Sequence, residues 1–106
     1  MQLNHLVTVE RRGNAQDEAG QARESWYSQG QAWASIRPIS GREFFAASGE
    51  RAEITHSMIL RHGTPLQPRD RITYNGRVFD VISVMNVDER NRYLKAMATE
   101  NANTGV

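Results

Sequence analysis

Along the chain, hydrophobic positions come in short alternating runs separated by clusters of Gly, Pro, Asn and Asp. That rhythm belongs to β-strands joined by tight turns, because strand side chains alternate between two faces. Residues 3–12 (Leu-Asn-His-Leu-Val-Thr-Val-Glu-Arg-Arg) are rich in β-formers and predict a first strand. Gly13 to Ser25 then runs without a large apolar side chain and carries Asp17, Glu18 and Glu24. A long polar loop, mobile on its own, is expected there. A second strand is predicted over Gln31–Ile39, ending at Pro38, which cannot donate to a ladder. Ser40 followed by Glu43 makes a capping box, so a short helix is expected over Arg42–Ala47, anchored by Phe44 and Phe45.

The alternation is clearest in the second half. Ile54, His56, Met58, Leu60 and His62 share one face of a strand, and Thr55, Ser57, Ile59 and Arg61 share the other. Arg71–Tyr74 and Arg77–Val87 flank Asn75-Gly76, the strongest two-residue hairpin signal in the chain. In Arg77–Val87, Phe79 and Val81 have one parity, Ile82 and Val84 the other. Either both faces are covered or a bulge shifts the phase. Tyr93–Thr99 is a last strand, and Asn101–Val106 a flexible tail. Trp33, Ile36, Met58, Leu60, Phe79, Val81 and Leu94 are the expected core. The fold class expected is all-β: a small six-stranded barrel or sandwich, with one short helix in a connection and a long polar loop after the first strand.

Composition narrows the chemistry. The chain has 106 residues, enough for a single domain over 1–106. Its 39% hydrophobic and 24% charged residues give a globular balance. With 13 basic and 12 acidic side chains the formal charge is +1, far from that of a dedicated duplex binder. No cysteine is present, which excludes disulfides, thiolate zinc sites and cysteine nucleophiles. No run approaches a membrane span and Met1–Glu10 has no signal-peptide pattern, so no membrane association is expected. His56 and His62 lie on one strand face but about 20 Å apart, too far for one metal ion. There is no phosphate loop and no Gly-x-Ser-x-Gly elbow, so neither enzyme nor cofactor is expected. Trp26, Tyr27, Trp33, Tyr74 and Phe79 admit one alternative, a β-barrel module binding single-stranded nucleic acid. Lys95 is the only lysine, and arginine forks suit flat bidentate contacts in protein interfaces.

From about Gly30 to Glu100 the chain resembles phage head-tail joining proteins, also called head-tail adaptor, head closure or stopper proteins. The resemblance rests on Trp33-Ala34-Ser35-Ile36-Arg37-Pro38-Ile39-Ser40-Gly41-Arg42-Glu43, then the Thr55–Arg61 strand, then the Arg71–Phe79 hairpin. Val84–Leu94 and Glu100 complete it, in order and with natural spacing. His62 stands where an aromatic is common and Ala98 where a cysteine is often seen. The resemblance implies a small β-barrel and a structural role in the virion neck, assembled in the host cytoplasm. It implies a ring, typically dodecameric, with portal or adaptor above and a tail terminator or tail protein below. Packaged DNA would pass through without sequence-specific binding.

In such a ring the polar loop is expected to reach the channel or a neighbouring ring, presenting Asn14, Gln16, Asp17, Glu18, Arg23 and Glu24. The charges expected between copies are Arg11, Arg12, Glu50, Glu53, Arg61, Arg69 and Arg71.

Overall fold

The computed structural model describes residues 2–16, 22–39 and 54–101. Six strands account for most of them: β1 (His5–Gln16), β2 (Ala22–Pro38), β3 (His56–Arg61), β4 (Arg71–Tyr74), β5 (Arg77–Asn86) and β6 (Tyr93–Glu100). A 3-10 turn, Val87–Glu89, lies between β5 and β6. The strands close into an antiparallel barrel in the order β1-β2-β3-β6-β5-β4, sealed where Thr8, Val9 and Glu10 pair with Thr73, Ile72 and Arg71.

Alternation decides which side chains fill the barrel. Val7 and Val9 of β1, Ala34 of β2, Met58 and Leu60 of β3, Ile72 of β4, Phe79 and Val81 of β5, and Ala96 and Ala98 of β6 all point inward and are buried. Small alanines facing large Phe79, Met58 and Leu60 suit the narrow interior of a small barrel. Leu66 of the β3–β4 connection is buried in the same cluster, with Ile36, Val84 and Leu94 packed against it. β3 is covered on both faces, since Ser57 and Ile59 are buried too. The phase change in β5 is a bulge: the register shifts between Val81 and Ser83, leaving Ile82 as the extra residue. A second shift lies between Val9 and Glu10, opposite Gln29 and Gly30. Gly30 takes φ 113° there, a conformation open to glycine at no steric cost.

Two sequence expectations change. Trp33 is not in the core; its side chain is 54% exposed. It differs in parity from Ile36 on one strand, so the two could not both face inward without a bulge between them. The polar stretch Gly13–Ser25 is also mostly ribbon rather than loop. Gly13 pairs with Ser25, Asn14 with Glu24, Ala15 with Arg23 and Gln16 with Ala22, so β1 runs on past Arg12 and β2 starts well before Gln31. A paired ribbon needs no apolar side chain to satisfy its backbone, because its two strands bond to each other. Polarity therefore did not mark the absence of a strand here. The expected helix Arg42–Ala47 lies outside the described residues, as does the tail beyond Asn101.

At the β4–β5 turn, Asn75 has φ 51° and Gly76 φ 82°. Positive φ at both central residues is what a type I′ hairpin turn requires. Gly76→Val should cost about 1–3 kcal/mol through strain at that position, read as a lowered melting temperature.

Candidate functional site

Beyond the barrel rim, β1 and β2 continue as a two-stranded stem. Pairing of β2 with β3 covers only Ala34 to Pro38, and that of β1 with β4 ends at Glu10, so residues 11–16 pair only with the facing part of β2. The molecule measures 49 × 28 × 25 Å. A free two-stranded ribbon is marginal in water, so other contacts must hold the stem in place.

The main contact is an ion pair at the root. Arg11 continues the inward parity of Val7 and Val9 and meets Asp70, a buried carboxylate below the barrel. Arg11 Nε donates to Asp70 Oδ1 at 3.0 Å and Nη2 donates to Oδ2 at 3.0 Å, with a further bond from Nη2 to the Pro65 carbonyl at 3.2 Å. Such a fork fixes direction as well as distance. Asp70 Oδ2 also accepts the Gln67 N–H at 2.9 Å, and the Asp70 carbonyl accepts the Val81 N–H at 2.9 Å. The bond to Asp70 raises the Arg11 pKa, so its guanidinium stays charged at any physiological pH.

On the other face of the stem, Arg71 Nε donates to Glu10 Oε1 at 2.6 Å while its guanidinium lies 4.3 Å from the Trp26 ring centre. Arg12, directly opposite Trp26 in the register, places its guanidinium 5.3 Å from the same ring. The tryptophan thus joins two cations to the ribbon. Next along β1, a Cβ on Gly13 would come within 2.7 Å of Tyr27 Cε2, so the edge of that ring occupies the space a side chain would need.

At the end of the barrel near Glu100, a third charged group forms. Arg77 donates to Glu100 through Nε at 2.9 Å and Nη2 at 3.1 Å. His56 stacks edge-on against Phe79, with ring centres 5.1 Å apart, and its Nδ1 lies 2.8 Å from Thr55 Oγ1. Thr55 Oγ1 also accepts the Glu100 N–H at 2.8 Å. Arg77 Nη2 approaches His56 Nε2 at 3.5 Å, which suits a neutral ring protonated on Nδ1. Burial pushes the His56 pKa below its ordinary value; Glu100 opposes this and Arg77 adds to it. The Arg77 bond lowers the Glu100 pKa.

The residues singled out in the sequence therefore divide. Arg11 and Arg71 are held in ion pairs within the chain, and Arg12 is stacked on Trp26. Arg61 and Arg69 are exposed. Asn14, Gln16, Arg23 and Glu24 lie on the paired stem, while Asp17, Glu18, Glu50 and Glu53 lie outside the described residues. Among the described residues no cluster of His, Asp and Glu could hold a metal ion. Sequence reasoning missed Asp70, whose partner is 59 residues away, and the exposed row around Trp33. The parity of Arg11 with Val7 and Val9 was the available signal for the first.

A family model for phage head completion proteins matches residues 1–101. The chain belongs to that family. It is a structural component of the phage virion, with a role in closing the head. No curated protein matches the head completion chain. Among solved structures, it is similar to the solution structure of protein SF1141 from Shigella flexneri 2a, at 23% identity and a TM-score of 0.81, covering 95% of both chains. A chain in the virion of a native gene transfer agent particle is also similar, at 22% identity and a TM-score of 0.63, covering 95% of this chain and 97% of that one. At these identities the likeness is one of fold.

Two outcomes follow for the charged groups of this head completion protein. Asp70→Asn should weaken the Arg11 clamp and destabilise the fold by about 1–3 kcal/mol, measurable by denaturant unfolding. His56 has a folded pKa below that of the unfolded chain, so its contribution is present above the ordinary histidine value of 6.5 and is lost as pH falls below it. Glu100, also lowered, has the same sign below its ordinary value of 4.5. Melting temperature should therefore drop between about pH 7.5 and pH 5.5, and His56→Gln should flatten that drop.

Proposed function

We propose that this head completion protein forms a ring in the virion neck, between the portal or its adaptor and the tail. The ring closes the DNA-filled head and offers the tail its docking surface. The match of the family model over nearly the whole described chain carries this reading. The gene transfer agent chain of similar fold comes from a virion particle, which supports it.

The role is assembly, without catalysis. Each copy contributes one barrel, and contacts between two different faces of neighbouring barrels close into a ring when the rotation per copy allows it. A dodecamer fits the reading. The β1–β2 stem, fixed at its root by Arg11 and Asp70, reaches towards the channel or the adjoining ring. Asp17, Glu18 and Glu24 make the sequence at its far end acidic. Carboxylates there repel DNA phosphates, which suits a passage through which DNA slides without being gripped. DNA affinity should accordingly be weak, and a salt titration separates this from phosphate binding, which falls steeply with salt.

Deleting Ala15–Ala22 tests the stem. Particles should still contain the protein at the neck, seen by imaging virions labelled on this chain, but should lose DNA retention and infectivity. Normal infectivity with normal DNA content would remove the stem from that role, and label away from the head-tail junction would overturn the neck assignment.

A further inference from the structure

Exposed groups on the outer wall are brought together by register: Leu6 pairs with Trp33, Trp33 lies beside Arg61, and Arg61 pairs with Tyr93. One exposed reactive group needs only its neighbour in sequence. Of the seven asparagines in the chain, Asn75 alone is followed by glycine. Asparagine is thermolabile because the backbone nitrogen of the next residue attacks its side-chain amide. A side chain on that next residue crowds the attack. Gly76 has none, and a Cβ built there would meet nothing within 4 Å. Asn75 and Gly76 are both exposed. The bond that closes the turn joins Tyr74 and Arg77, the last pair of the β4–β5 ladder, and leaves the Gly76 N–H outside it. Among the described residues neither that N–H nor the Asn75 side chain forms a hydrogen bond. Asn86 and Asn91 differ, since they hold each other. Asn86 Nδ2 donates to Asn91 Oδ1 at 2.7 Å, and the Asn91 N–H donates to Asn86 Oδ1 at 3.1 Å.

We propose that Asn75 is a self-modification site, at which the folded protein deamidates through a cyclic imide and so loosens the barrel. A base takes the Gly76 amide proton, and the nitrogen attacks Asn75 Cγ. The N–Cγ bond forms, the Cγ–Nδ2 bond breaks, and solvent returns a proton as the amide leaves as ammonia. Water then opens the imide ring at one of its two carbonyls. Opening at Cγ restores the backbone and leaves aspartate at position 75. Opening at the main-chain carbonyl gives isoaspartate, whose backbone runs through Cβ and Cγ and is one methylene longer.

The two products differ in consequence. Asp-Gly suits a type I′ turn as Asn-Gly does. A lengthened backbone does not, because a two-residue loop fixes the register of the strands it joins. β4 has only four residues, and it alone connects β5 to β1, where Thr73, Ile72 and Arg71 seal the barrel. Isoaspartate at position 75 therefore loosens the strand that closes the sheet. A virion does not replace its proteins, so the product accumulates in stored particles.

The test holds the purified protein at mildly alkaline pH and follows the tryptic peptide Ile72–Arg77 by mass spectrometry. Labelling by an isoaspartyl methyltransferase reports the isoaspartate. Conversion should appear at Asn75 before any other asparagine, speed up as pH rises, and be lost in Asn75→Gly, where Gly-Gly keeps the turn. The isoaspartate fraction should melt below fresh protein, and Asn75→Asp should melt with it. The same peptide should carry the product in stored particles and lack it in freshly assembled ones. A free Ile72–Arg77 peptide that deamidates while the folded protein does not would show that the turn protects the amide, and overturns the proposal. Earlier conversion at another asparagine overturns it too. Isoaspartate with an unchanged melting temperature overturns the loosening of the barrel, and its absence from stored particles overturns the accumulation.

Discussion

Closure of the sheet is the constraint from which the rest follows. Once β1 pairs with β4, the barrel has no free edge at which another strand could be added. Its interior holds a single cluster of side chains, so Val7, Met58, Leu60, Phe79 and their neighbours are committed to packing. Whatever this protein recognises, it must recognise through the outer wall, the connecting loops, or the stem that leaves the barrel. Those are the places where its exposed tryptophan, tyrosine and arginines lie.

The stem depends on the barrel through charge rather than apolar burial. Arg11 occupies an inward position on β1, and the barrel meets it with Asp70, whose own position is fixed by Gln67 and Val81. Removing either partner would leave the other half-buried charge unpaired, a worse state than an apolar pair would leave. The second contact, Glu10–Arg71–Trp26, lies on the opposite face of the same ribbon. Two attachments on two faces resist bending in both directions. Arginine serves both because its planar fork can grip a carboxylate and lie over a ring, which a lysine ammonium does less well.

The β-barrel was legible in the sequence because its signals are local. Asn75-Gly76 names its own turn type, and the alternation of Met58 and Leu60 names its own buried face. The broken parity of β5 was legible as a choice between two explanations, and the shift at Ile82 decides it. What failed were inferences in which residue type stood for position. Trp33 is large and aromatic, yet its parity puts it outside; Gly13–Gln16 is polar, yet it is paired backbone. Asp70 and the row from Leu6 to Tyr93 were illegible for another reason. Each exists only through the register of strands far apart in the chain, and register is a property of the closed sheet.

Charge distribution links these observations to assembly. A formal charge of +1 hides local pairing: ion pairs lock the stem to the barrel, while Arg61 stands exposed on the outer wall. Charges neutralised within the chain stiffen it and attract nothing. In the proposed neck ring near-neutrality has a further use, since a strongly basic surface would hold the phosphate backbone of passing DNA in place. Pairing Arg11, Arg71 and Arg77 internally lets the chain use their geometry while neutralising their charge.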